Sequence, residues 1–140
     1  MNIYNFNDEG FKNTQIYQNF INDNPGIGYL KIRASAASQA IPISNLKVVV
    51  SKTIGNDKII FFEGTTNSSG VIEKIALPAP KQNTDDLTAP NSTTYDIDAK
   101  YEPDNLKDIY KVNIYDNIYV IQRINVVPTL NVSTGDRSWP

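Results

Sequence analysis

Tyr95-Asp96-Ile97-Asp98-Ala99-Lys100-Tyr101 alternates apolar and charged side chains without a break. A two-residue period puts Tyr95, Ile97, Ala99 and Tyr101 on one face of a β-strand and Asp96, Asp98 and Lys100 on the other. One face is buried and one is wet, as in a sheet covered on a single side. Gly28–Ala34 repeats the pattern, with Leu30, Ile32 and Ala34 alternating with Lys31 and Arg33. Five further segments are rich in β-branched and aromatic residues: Leu46–Ile54, Lys58–Gly64, Val71–Leu77, Ile109–Tyr115 and Ile118–Val127. Turn residues separate them at Gly55-Asn56-Asp57-Lys58, Thr66-Asn67-Ser68-Ser69-Gly70 and Asp116-Asn117. Without a βαβ rhythm, this spacing predicts an all-β fold: a single antiparallel Greek-key β-sandwich of about seven strands. The connection from Pro78 to Ser92 holds three of the eight prolines and is expected to cross between sheets.

Ahead of the strands, Ile16, Tyr17, Phe20 and Ile21 fall on one helical face. Asn13 or Thr14 can cap that helix, and Asn24-Pro25-Gly26 ends it. The expectation is a short helix over Thr14–Asp23, too short to stand alone and docked on its own domain, behind a loose arm over residues 1–10. The chain then divides into an N-terminal arm and helix (1–24), a sandwich domain (25–128) and a C-terminal tail (129–140). On this reading the core lies after Gly28, so deleting residues 1–10 leaves the sandwich folded, and the arm contacts another subunit or a partner.

The composition excludes much chemistry. None of the 140 residues is Cys or His, which removes disulfides, thiolate nucleophiles, Cys/His zinc sites, haem ligation and imidazole-based triads. No cofactor and no metal site is expected. A net charge of −2 argues against a broad nucleic-acid or anionic-membrane footprint. The opening MNIYNFNDEGFKNTQ has neither a basic nor an apolar signal region, and no apolar run approaches the length of a membrane span. The expected location is the cytoplasm, or a spore or phage-type particle assembled there.

Four landmarks stand in order: Gly28-Tyr-Leu-Lys-Ile-Arg-Ala-Ser; Ala40-Ile-Pro42-Ile-Ser-Asn-Leu-Lys-Val-Val-Val; Gly64-Thr-Thr-Asn-Ser-Ser-Gly70-Val-Ile with Leu77-Pro78-Ala-Pro80; and Tyr95-Asp-Ile-Asp-Ala with Val112-Asn-Ile-Tyr and Asn125-Val-Val-Pro128. From Asn24 to Pro128 the chain resembles the carboxypeptidase regulatory-like, or transthyretin-like, domain. It is most similar to the module found in spore-forming Gram-positive bacteria, sometimes at the front of spore cortex-lytic enzymes. The resemblance implies a sandwich and a structural or accessory role. Glu102-Pro103-Asp104-Asn105-Leu106 stands where that family commonly has Gly-Tyr or Gly-Phe.

No enzyme active site is expected. Asp85-Asp86 and the Asp96/Asp98 pair are close carboxylates, but one pair lies in a polar loop and the other on a wet strand face. A Lys31-to-Asn125 isopeptide crosslink assisted by Glu102 is rejected, because Leu30 and Ile32 claim the inward face and turn Lys31 outward. The aromatic residues Tyr4, Phe6, Phe11, Tyr17, Phe20, Tyr110, Tyr115, Tyr119 and Trp139 form the candidate interaction surface. The first function class is a non-catalytic interaction module with a protein partner or self-assembly. The second is an accessory module that holds glycan beside a peptidoglycan hydrolase.

Overall fold

The computed structural model describes residues 1–37, 39–82 and 91–127. All seven segments read from alternation or from β-branched and aromatic composition form strands: β2 (Gly26–Ala36), β4 (Lys47–Ile54), β5 (Asp57–Thr65), β6 (Val71–Ala79), β7 (Thr93–Tyr101), β8 (Leu106–Ile114) and β9 (Tyr119–Asn125). Two short strands, β1 (Ile3–Asn5) and β3 (Ile41–Pro42), join them, together with the helices α1 (Glu9–Lys12) and α2 (Gln15–Asp23).

Two sheets make a β-sandwich. The larger has the order β1-β5-β4-β7-β8, and the smaller has the order β3-β2-β6 with β9 paired to β2. Tyr95, Ile97 and Ala99 of β7 are buried as their alternation requires, beside Val48 and Val50 of β4 and Ile59 and Phe61 of β5. Leu30, Ile32 and Ala34 of β2, Ile75 and Leu77 of β6, and Ile124 of β9 complete the core from the smaller sheet. Each Val, Leu, Ile or Phe among them contributes about 1.5–3 kcal/mol by leaving water. The passage from β6 to β7 does change sheets. Gln82 clamps its described ends: Nε2 donates to the Asn91 carbonyl at 3.0 Å, and Oε1 accepts from the Asn91 N–H at 3.2 Å.

Two pairings depart from the antiparallel expectation: β1 runs parallel to β5, and β9 runs parallel to β2. The second departure has a local cause. Asp116-Asn117 does not close a hairpin between β8 and β9. It lifts the chain from the larger sheet to the smaller and lays it along β2. There Asp116 Oδ1 accepts from the Ile27 N–H at 3.0 Å, Asn117 N–H donates to the Ile27 carbonyl at 2.7 Å, and Tyr29 N–H donates to the Ile118 carbonyl at 2.9 Å. Gly28 makes the approach feasible, since a Cβ there would sit 2.2 Å from the Tyr115 carbonyl oxygen.

In the N-terminal segment it is the arm ahead of the helix that departs from expectation. Residues 1–24 are not a separate arm. Of the two cap candidates, Asn13 and Thr14, it is Thr14 that caps α2, its Oγ1 accepting from the Tyr17 N–H at 3.2 Å. Phe11 and Phe20, however, are only 2% and 7% exposed and belong to the sandwich core. Phe6 stacks on Phe61 with ring centroids 4.6 Å apart, and β1 adds an edge strand to β5. The arm docks in cis because its aromatics find the uncovered end of β5. Buried Asn24 ties the helix to the sheet, donating from Nδ2 to the Phe20 carbonyl at 2.9 Å and accepting from the Thr93 hydroxyl.

Tyr95 is buried, with its hydroxyl donating to the Pro78 carbonyl. Burial pushes its phenol well above the ordinary tyrosine range. Above about pH 10 the unfolded chain therefore loses this proton while the folded chain keeps it. Urea titrations are expected to show stability falling by about 1.4 kcal/mol per pH unit there from this group alone. The slope should be shallower by that amount in Tyr95→Phe; equal slopes in the two proteins would refute the assignment.

Candidate functional site on the outer face of the smaller sheet

The face of β2 that carries Ile27, Tyr29, Lys31 and Arg33 points away from the core, because the alternate residues Gly28, Leu30, Ile32 and Ala34 are buried. The parallel register places Tyr119 beside Tyr29, Ile121 beside Lys31 and Arg123 beside Arg33. On the other side of β2, Ala76 pairs with Tyr29 and Pro78 with Ile27. Both side-chain rows therefore stand on one outward surface with two distinct ends.

One end is apolar. Ile27, Ile118, Tyr119 and Ile121 are 49%, 48%, 59% and 50% exposed. The Tyr29 and Tyr119 rings stack with centroids 4.9 Å apart and 23° between planes, and Lys74 Nζ lies 4.6 Å from the Tyr29 centroid. Clustered exposed apolar side chains mark contact surfaces, whereas single ones do not. Beside them Phe6, Ile21, Pro25, Ile27, Ala76 and Pro78 line a cavity of 280 Å³.

The other end is basic. Lys31 Nζ lies 3.4 Å from Glu73 Oε1, and Arg123 Nη1 donates to Gln39 Oε1 at 3.1 Å. Arg33 stands between them on β2. The outward direction of Lys31 agrees with its reading from sequence, and Asn125 is exposed, so neither side chain is placed inside the core for a crosslink.

Of the aromatic residues singled out in the sequence, only Tyr119 among the described ones lies on this surface. Phe11 and Phe20 are core residues and cannot present a contact face. Tyr4, Phe6 and Tyr17 are half-buried against that core. Tyr110 lies on β8 of the larger sheet and is also half-buried, its hydroxyl donating to Asp108 Oδ2 at 3.3 Å. Burial, with help from Asp108, pushes its phenol up. Tyr115 is half-buried in the turn before β9. Trp139, Asp85 and Asp86 lie outside the described residues. Missed in the sequence were Ile27, Tyr29, Ile121 and Arg123. Their signal was the outward parity of β2, already legible, plus the register of β9, which was not.

The carboxylate pair on β7 is engaged in ion pairs, Asp96 with Lys111 at 2.6 Å and Asp98 with Lys58 at 3.6 Å. Lys52 is lowered from its ordinary range, first by burial and further by Lys111, with Asp96 opposing. Its ammonium donates to the Thr94 carbonyl at 2.9 Å, a structural tie across the sheet. Among the described residues, no helix is long and apolar enough to cross a membrane. No family model matches this chain, and no curated protein does either.

Proposed function

We propose that this chain is a non-catalytic structural and protein-interaction module, of the carboxypeptidase regulatory-like kind, that docks a protein partner within a larger bacterial assembly such as a spore or phage-type particle. The observation that carries the reading is the outer face of the smaller sheet. Its half-exposed Ile27, Ile118, Tyr119 and Ile121 adjoin Lys31, Arg33 and Arg123. Charge complementarity selects a partner segment that sets an apolar side chain on Ile121 and Tyr119 and an acidic group at the basic end. The family resemblance and its Greek-key connectivity are supported by the path of the chain: β7 returns to pair with β4 after β6 has joined the other sheet.

The test is a selection of displayed peptides against the folded protein. Enriched peptides should pair an apolar residue with Asp or Glu. Ile121→Asp should weaken them at least about tenfold, as loss of a central apolar anchor does. Ile109→Asp, a change at an exposed residue on the larger sheet, should leave binding intact. Peptides indifferent to Ile121→Asp, or no enrichment at all, would overturn the reading.

A second reading, an accessory module that holds glycan for a peptidoglycan hydrolase, has one observation in its favour. Tyr119, 59% exposed, carries an aromatic ring that a sugar could stack on. Muropeptide glycans that quench tyrosine fluorescence in the native protein and not in Tyr119→Ala would favour it.

A further inference from the structure

We infer that Arg33 and Arg123 form an oxyanion-binding pocket, the point at which the docking face takes the acidic group of its partner. The role of the occupant rests on the proposed docking function, whereas the pocket itself stands on geometry.

Arg33 and Arg123 occupy directly matched positions on β2 and β9. Strands in a sheet lie about 4.8 Å apart, so two permanently charged side chains rise from adjacent positions on one face. Like charges in that arrangement repel. Among the described residues, no carboxylate relieves the repulsion. Every ion pair within 4.0 Å uses a lysine, and Glu73, the acid beside Arg33, is taken by Lys31 at 3.4 Å. Arg33 Nε, moreover, is a buried donor with no hydrogen-bond partner. A buried donor on a charged group is costly to leave unpaired, and an oxyanion is the acceptor that a guanidinium fork fits.

The space for such a group is present. Arg33 lines a cavity of 400 Å³ and Arg123 one of 340 Å³, and the two share Ser35 and Gln39. Gln39 is held at φ +76°, a backbone conformation that non-glycine residues rarely adopt, with its side-chain oxygen on Arg123. Strain of this kind gathers at ligand clamps. The shared chemistry is a small oxyanion, either a carboxylate or a tetrahedral sulfate or phosphate.

The experiment follows the arginine Nε–H resonances of the folded protein by NMR while acetate, sulfate or inorganic phosphate replaces chloride at constant ionic strength. The Arg33 and Arg123 resonances should shift and saturate with at least one of these anions, and which anion saturates identifies the class. Thermal unfolding should rise by about 3 °C at saturation, as linkage requires for a ligand of the native state. Arg123→Gln, a change at an exposed position, should weaken binding at least tenfold. Arg33→Lys, which keeps the charge and loses the fork, should do the same. Shifts that stay linear, or that match between the native protein and Arg123→Gln, would overturn the pocket. Selected peptides that bind Arg123→Gln with unchanged affinity would overturn it while leaving the docking face standing. Saturation by an anion without any peptide enrichment would do the reverse.

Discussion

Removal of residues 1–10 should lower the stability of the sandwich by about 3–5 kcal/mol, the scale of a large aromatic lost from a core. The deletion takes away Phe6, whose ring stacks on Phe61 at 4.6 Å and meets Phe20 edge-on at 6.1 Å. It also removes Tyr4, 5.2 Å from the Phe11 ring, and the β1 strand whose neighbour Phe6 N–H bonds the Ile60 carbonyl at 2.8 Å. What remains is an apolar gap over Phe11, Phe20 and Phe61 that water must enter. Urea denaturation read by tyrosine fluorescence measures the effect. Phe6→Ala should reproduce a large part of it, and Phe6→Leu much less, because Leu refills most of the volume. A truncated protein as stable as the full chain would show that the arm is dispensable for the fold.

Gly70→Ala should cost about 2–4 kcal/mol, combining left-handed backbone strain with overpacking. Gly70 adopts φ +76°, and a Cβ there would lie 2.4 Å from the Ala34 carbonyl oxygen and 3.0 Å from the Ile43 nitrogen. Both are backbone atoms and cannot swing aside. The Ala34 N–H donates to the Gly70 carbonyl at 2.7 Å, so the clash falls where β2 is joined to the turn before β6. Asn67 holds the same turn, its Oδ1 accepting from Ser69 N–H at 2.9 Å and from Val71 N–H at 3.0 Å. Gly55→Ala is the control. It has a similar φ of +61° but nothing within 4 Å of an added Cβ, so it should lose only the strain component. Equal losses at the two glycines would remove the steric part of the argument.

The sequence by itself determined the strands and their faces. Alternation in β2 and β7 separates the buried Leu30, Ile32, Tyr95 and Ile97 from the outward Lys31, Arg33, Asp96 and Asp98, because a two-residue period leaves no other assignment. It also narrowed the helix cap to Asn13 or Thr14 and marked the turn that ends at Gly70, since both are set by local chemistry. Tertiary structure alone decided which strands meet. Parity along a strand carries no information about its neighbour, so the parallel seat of β9 beside β2 could not be read. That seat depends on the Tyr115 carbonyl reaching Gly28 from more than eighty residues away. The same holds for the arm, whose aromatics call for a contact but do not say that the contact is β5 of the same chain rather than a partner. The candidate site is of both kinds: the outward row of β2 follows from alternation, and the β9 row beside it is set only by the register. Arg33 and Arg123 are ordinary surface residues in the sequence and become a pair only when the register of two distant strands sets them side by side.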